Sequence, residues 1–314
     1  MAWRLSYCTL DRSTMFGLPE TLERQIRAAA ASGFELVSLD LFSLRAHRDA
    51  HGGVQRVRAA LDATGLAVYD LTGITITDDR AQTFAELDEF LAFAGALGAT
   101  WIQSRLPVDN ATSRAIYAEV AERVASAGYG FAFEFSSFVP IRSLRQAIDF
   151  VAPLARRLPR QALMIDSWHF YQCGQSLDGL RDLDPALFGY LQLDDALPPG
   201  PDSRFDTLNR RTLPGKGKLD LVGFMAAWNE LGFGGVVSPE VMNEDLRKLE
   251  LEDYVEQVAT TTRDAGGARR RPRARADEGR ALRRCDPGGD RRGALTSTRL
   301  GEPGAALRRV LRGR

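Results

Sequence analysis

Cysteine and histidine are scarce in this chain, with three of each among 314 residues. Cys8, Cys173 and Cys285 lie far apart and are odd in number, which excludes a disulfide framework and a C-x-x-C metal site. No run approaches the roughly 18 consecutive apolar residues of a transmembrane helix. The first residues, MAWRLSYCTL, lack a basic segment followed by an apolar one, so they do not read as a signal peptide. A cytoplasmic protein is the expectation. A G-x-G-x-x-G turn after the first candidate strand is missing too, which removes the main support for a dinucleotide-binding fold.

Net charge is formally zero, but the balance hides a split. Residues 266–314 hold 15 Arg against 5 Asp or Glu; from totals of 41 and 41, this leaves 26 basic and 36 acidic residues in 1–265. The body of the chain is therefore acidic, which argues against a nucleic-acid-binding field. The segment GGARRRPRARADEGRALRRCDPGGDRRG has no Lys, few large apolar residues and much Gly, Pro and Arg. Such a composition cannot bury enough surface to offset its ordering entropy, so 266–314 is expected to be a disordered tail. An Arg-rich tether is one role for it. The favoured origin is an out-of-frame extension of a G+C-rich gene.

What is present is a short β-rich run followed by a helical pattern, eight times over. The expected strands are 3–10, 35–42, 67–76, 100–106, 129–135, 162–166, 188–193 and 235–240. Between them, stretches such as ETLERQIRAAAASGF and SRAIYAEVAERVASAG carry apolar residues at i, i+3, i+4 and i+7, and several stop at a glycine. Strand–helix alternation calls for a parallel sheet covered by helices. Eight units within residues 1–265 predict a single-domain (β/α)8 barrel, an architecture of about 250 residues.

Barrel enzymes place their chemistry at the C-terminal ends of the strands. Side chains alternate along a strand, so in FAFEF, LMID, YLQLD and VVSPE the inward residues include Glu134, Asp166, Gln192, Asp194 and Glu240. Four successive strands thus deliver Glu134, Asp166, Gln192 and Glu240 to one rim. Three carboxylates converging without a cation would repel one another and be costly to desolvate. A divalent ion removes that conflict; oxygen-rich ligation favours Mn or Mg, with Co and Zn also compatible. His169, three residues after Asp166, can swing back over the same mouth to shuttle a proton or bind a substrate oxygen. His47 and His51 fall in a polar stretch after strand two and are expected in a loop.

These residues resemble the xylose isomerase-like barrel superfamily, in its sugar phosphate isomerase/epimerase branch, over roughly residues 3–262. The resemblance rests on Glu134, DSWHF (166–170), QLDDA (192–196), PGKGKLDL (214–221) and SPEV around Glu240. It implies that Glu134, Asp166, Gln192 and Glu240 bind one divalent cation. It also implies that the two glutamates act as acid and base on opposite faces of the substrate, and that His169 contacts the substrate. The implied reaction is α-proton abstraction next to a carbonyl, with the metal stabilising the enediolate.

Two positions depart from the pattern. Gln192 stands where isomerases and epimerases commonly have His; some dehydratases acting on dehydroshikimate-like substrates have Gln there. Lys216 stands where many relatives have Glu, and reads as a solvated residue near a helix start.

The segment 196–217 (ALPPGPDSRFDTLNRRTLPGKG) is long for a rim loop, and such loops usually carry function. Arg204, Arg210 and Arg211 are candidates to clamp a substrate carboxylate or phosphate. Trp168 and Phe138 are candidates to wall a sugar ring, core packing being the alternative.

The leading reading is a metal-dependent isomerase or epimerase of a small hydroxylated, sugar-like molecule. The alternative is a dehydratase of a dehydroshikimate-like or keto-inositol substrate. The DNA-repair endonucleases of the superfamily need several His ligands and a basic groove, both missing here. A non-catalytic binding protein ranks last, because the three carboxylates are all retained. Oligomeric state is left open by the sequence.

Overall fold

A computed structural model describes residues 3–181 and 183–267. Gly266 and Gly267, the first residues of the expected tail, close the helix Leu251–Gly267, and residues 268–314, with Cys285, lie outside the described residues. Eight parallel strands close into a barrel: β1 (Arg4–Cys8), β2 (Leu36–Asp40), β3 (Ala67–Thr75), β4 (Trp101–Arg105), β5 (Gly130–Glu134), β6 (Gln161–Asp166), β7 (Phe188–Gln192) and β8 (Val236–Ser238). Each neighbours the next in sequence, and β8 returns to β1 through Arg4–Val236 and Leu5–Val237. Among the described residues no helix is long and apolar enough to cross a membrane.

The expected alternation governs the core. Phe131, Phe133, Leu163, Ile165, Leu191 and Val237 point outward into the large cluster beneath the helices. Leu36, Ala132, Met164, Tyr190 and Val236 fill the barrel interior, with Tyr69 and Trp101 packed against them. One step further along each strand the inward residues turn polar: Val236 is followed by Ser238 and then Glu240, and Leu36 by Ser38 and Asp40. The barrel therefore has an apolar plug, a hydroxyl layer and a carboxylate rim in sequence along its axis.

The hydroxyl layer contains one buried acid. Asp70 accepts hydrogen bonds from Ser38 Oγ and from the Tyr190 hydroxyl, the latter at 2.9 Å. Burial pushes its carboxyl up to about 6, against the pull of those two bonds. Because the folded value exceeds the unfolded one, the associated stability is complete below about pH 4 and is lost as pH rises through 6. The Asp70→Asn protein is expected to lack this loss, so its stability relative to wild type should improve by about 2–3 kcal/mol between pH 4 and pH 7. Urea unfolding at both pH values measures it; parallel curves would contradict this account of Asp70.

Strand ends double as helix caps at the rim. Asp40 ends β2 and accepts the Ser43 N–H at 2.9 Å, starting the helix Leu41–His51. Asp166 ends β6 and accepts the His169 N–H at 2.8 Å, starting the helix Ser167–Gln172. A carboxylate at a helix N-terminus satisfies backbone donors left free by the first turn. His47 and His51 consequently lie on a helix, not in the loop the sequence suggested, and His47 is fully buried.

The 196–217 segment is also more ordered than a loop. Asp195–Ala196 pairs antiparallel with Arg211–Thr212, and the helix Ser203–Asn209, capped by Asp202, lies between them. Asp195 anchors the exit: its Oδ2 accepts from Gly215 N at 3.1 Å and Gly217 N at 2.8 Å, and its Oδ1 from Leu219 N at 2.9 Å. Gly215 has φ +78°, and a Cβ on Gly217 would meet Asp195 Oδ1 at 2.3 Å. The two glycines of PGKG are thus required by the turn and by the close approach of this carboxylate. Lys216, between them, is exposed and precedes the helix Leu221–Glu230 by several residues.

Candidate active site

Glu134, Asp166 and Gln192 are the last residues of β5, β6 and β7, while Glu240 lies two residues beyond the end of β8 rather than within it. The register places Asp166 beside Gln192, and Gln192 beside Ser238. Gln192 Nε2 donates to Glu240 Oε1 at 2.9 Å. On the other side of the mouth, Gln103 Nε2 from β4 donates to Glu134 Oε2 at 2.8 Å. Glu134 Oε1 faces His169 Nε2 at 3.6 Å. Each predicted ligand is therefore held by a neighbour through one of its atoms.

Arg211 enters this cluster from the ribbon above the rim. Its Nη1 lies 2.7 Å from Asp166 Oδ2, 2.9 Å from Asp194 Oδ2 and 3.1 Å from Glu240 Oε2. Thr207 holds the rest of the fork, through its carbonyl at 2.9 Å and its hydroxyl at 3.0 Å. The guanidinium also stacks over Trp168, 5.4 Å from the ring centroid. At 1% side-chain exposure it is a buried charge with its hydrogen bonds directed to protein groups.

Three buried carboxylates sharing one guanidinium, with Glu134 in the same mouth, leave an excess of negative charge, and the proton affinities reflect it. Burial raises Glu134 well above the carboxylate range, with the charges of Glu240 and Asp166 adding to the effect. Burial likewise raises Asp194, reinforced by Asp166. Glu240 is pushed up to about 8 by burial, with Arg211 opposing the rise. Asp166 alone is held below its usual value, because the Arg211 charge and its hydrogen bonds outweigh burial. Burial drops His169 to about 4, so its imidazole is neutral near pH 7.

The donor set fits a divalent cation. Gln192 Oε1 is buried and has no hydrogen-bond partner, although buried carbonyl-type oxygens are nearly always satisfied. Glu134, Asp166 and His169 also bring ligand-type atoms within 4.8 Å of one another. A cation there would engage the orphaned oxygen and offset the surplus negative charge. Metal binding would displace protons from carboxylates that otherwise retain them.

A family model described as a xylose isomerase-like TIM barrel matches residues 26–265. The chain belongs to that family. Among curated relatives, the inosose isomerase of Bacillus velezensis is 28% identical over 155 residues, 48% of this chain and 53% of that protein. The chain thus spans about half the length of the curated relatives it matches. Two solved structures of this fold superpose over most of the chain. One is the IOLI protein with a bound zinc atom, at TM-score 0.73 and 19% identity, covering 84% of this chain and 98% of that one. The other is the probable 3-DHS dehydratase AsbF of Bacillus anthracis, at TM-score 0.65 and 13% identity, covering 83% and 98%.

Within this xylose isomerase-like barrel, the residues expected from the sequence are sorted by position. Glu134, Asp166, His169, Gln192, Glu240 and Arg211 come together at the mouth. Arg211 differs from its expected role as a free substrate clamp, because three protein carboxylates already hold it. Arg204 is exposed on the helix Ser203–Asn209, outside the buried cluster. Arg210 is tied into the same segment by Asp206 at 3.0 Å and the Pro198 carbonyl at 3.0 Å. Trp168 is buried beneath Arg211, stacked on Phe138 with centroids 6.1 Å apart and set edge-on to His169. Half-buried Phe138 therefore stands nearer solvent than Trp168.

Three contributors escaped the sequence reading. Asp194 was recognised as inward but not as a partner of Arg211, Ser167 and Trp168. Gln103 and Arg105 share inward parity on β4, which is the signal that could have found them. Gln103 orients Glu134, and the half-buried Arg105 places a positive charge that favours the ionised form of that glutamate.

Proposed function

We propose that this protein is a divalent-metal-dependent isomerase or epimerase that moves a proton on the carbon next to the carbonyl of a sugar or keto-polyol. The observation that carries the reading is the pairing of two glutamates, half-buried Glu134 and buried Glu240, with the orphaned oxygen of Gln192 in one mouth. Glu134, Asp166, Gln192 and Glu240 would hold the cation. When bound, it polarises the carbonyl and offsets negative charge building on the substrate oxygens.

The chain's own groups supply the rest. A carboxylate whose proton affinity has been raised by burial is a stronger base than one in water, and its acid form persists near neutrality. Glu134 takes the α-proton from the substrate carbon, and Glu240 serves the opposite face, returning a proton there when configuration inverts. Gln103 keeps Glu134 oriented through a single oxygen, leaving the other for the transfer. Neutral His169, whose buried Nδ1 has no partner, is suited to hydrogen-bond a substrate hydroxyl without adding charge. Arg211 holds Asp166 and Asp194 in place, and Trp168 and Phe138 exclude water on that side.

A second reading is favoured by Gln192. With an amide in place of the usual imidazole, the same α-proton abstraction can end in expulsion of a β-hydroxyl, making the protein a dehydratase of a dehydroshikimate-like or keto-inositol substrate. The test is proton NMR in deuterated water with the full chain loaded with Mg(II) or Zn(II), across keto-sugars, keto-inositols and dehydroshikimate. Deuterium at an α-carbon with the hydroxyl count intact is the expected result. Loss of water to an enone or aromatic product would assign the dehydratase, and inertness towards the whole panel would overturn both readings.

A further inference from the structure

A second cluster of metal-type side chains lies away from the barrel mouth. Glu20 precedes the helix Leu22–Ala31 and is fixed by accepting the Leu22 N–H through Oε1 at 2.6 Å. Its other oxygen, Oε2, lies 3.2 Å from His47 Nδ1 and 3.6 Å from His51 Nε2. The two histidines are one turn apart on the helix Leu41–His51, so they share a face, and their ring centroids are 4.5 Å apart. His47 is 0% exposed, and neither of its ring nitrogens has a hydrogen-bond partner. A neutral imidazole carries one donor and one acceptor, so such burial leaves polar valence unused.

The spacing matches coordination. Zinc binds imidazole nitrogen and carboxylate oxygen at about 2.0–2.1 Å, which sets the edges of a tetrahedron at about 3.3–3.4 Å. The two distances from Glu20 Oε2 bracket that edge, and the three ligand atoms lie within 4.8 Å of one another.

We infer that Glu20, His47 and His51 form a second metal site, selective for zinc-class cations and independent of the barrel mouth. Two imidazoles and one carboxylate suit Zn(II) over Mg(II) or Ca(II), which prefer all-oxygen shells. The fourth position falls on the exposed side of His51 and takes solvent. The bound ion ties the segment after β1 to the helix after β2.

Arg56 sets a condition on binding. Its Nη1 lies 3.2 Å from His51 Nδ1, while its Nε holds Glu23 at 2.7 Å. A guanidinium only donates, so in that contact His51 accepts at Nδ1 and a neutral ring carries its proton on Nε2. Ligation through Nε2 requires the opposite tautomer. Zinc binding therefore displaces Arg56 from His51 and leaves it on Glu23.

The test uses the full chain stripped of metal with a chelator and titrated with Zn(II) in a calorimeter, with melting followed in parallel. Beside any zinc taken up at the mouth, wild type is expected to bind one further zinc equivalent that His51→Ala and Glu20→Gln bind about 100-fold more weakly or not at all. His51 sits exposed at a helix end, so its replacement leaves the fold and any proton-exchange activity intact. That equivalent should persist in Glu134→Gln, resist millimolar Mg(II), and tighten several-fold in Arg56→Ala. Wild type and His51→Ala taking up zinc with the same stoichiometry, affinity and gain in melting temperature would overturn the site.

Discussion

Replacing Glu134 by Gln is expected to lower substrate proton exchange by about 10³–10⁴-fold while leaving the fold intact. Gln has the same shape and its amide oxygen still accepts from Gln103, so the rim keeps its geometry. What disappears is the ability to accept a proton. Glu240→Gln should produce a comparable loss for any reaction that uses both faces of the substrate. For a one-face isomerisation, Glu240→Gln should weaken metal binding more than exchange. The ratio of the two losses, read by exchange NMR at saturating metal, separates epimerisation from isomerisation. A Glu134→Gln protein retaining activity within tenfold of wild type would remove Glu134 from proton transfer.

The second large effect concerns stability. In chelator, Arg211→Met is expected to lose about 3–5 kcal/mol, because Asp166, Asp194 and Glu240 are left buried without a countercharge. Protonation of Glu240 and Asp194, both already raised, softens that loss at low pH and leaves it largest above pH 8. Saturating Mn(II) should restore a good part of it, since a divalent ion answers the same excess charge. Urea midpoints with chelator and with Mn(II), for both proteins, give the four values needed. If Arg211→Met matched wild type in chelator, the guanidinium would not be the group that holds the carboxylates together.

The contrast between these two residues shows where a one-dimensional reading succeeds. Glu134 lies on a strand, and strand parity is a rigid rule: once FAFEF is recognised, the inward direction of Ala132 and Glu134 follows. The same rule located Asp166, Gln192 and Asp194 on neighbouring strands. It reached Glu240 as well, although β8 stops at Ser238 and Glu240 meets Gln192 from two residues beyond the strand. Arg211 obeys no such rule. It is 45 residues from Asp166, and only the ribbon formed with Asp195–Ala196 brings it back over the mouth. Three arginines in one segment were therefore indistinguishable in the sequence. His47 was misplaced for a different reason. The polar run LFSLRAHRDAH reads as surface, and its helical start is set by Asp40, a residue that also ends a strand.

The grip of Asp195 on Gly215, Gly217 and Leu219 has a consequence for how such a barrel can diversify. The excursion above the mouth is clamped at its neck, and Arg211 belongs to the neck, paired beside Ala196, rather than to the arch. Lengthening an arch whose ends are already pinned costs only a logarithmic increment of closure entropy, a few tenths of a kcal/mol for several added residues. Residues 198–206 therefore form an exchangeable cassette, with Thr207 kept because its carbonyl and hydroxyl hold the Arg211 fork. They can change in length and chemistry to admit differently sized molecules while the guanidinium, and the carboxylates it aligns, stay where they are.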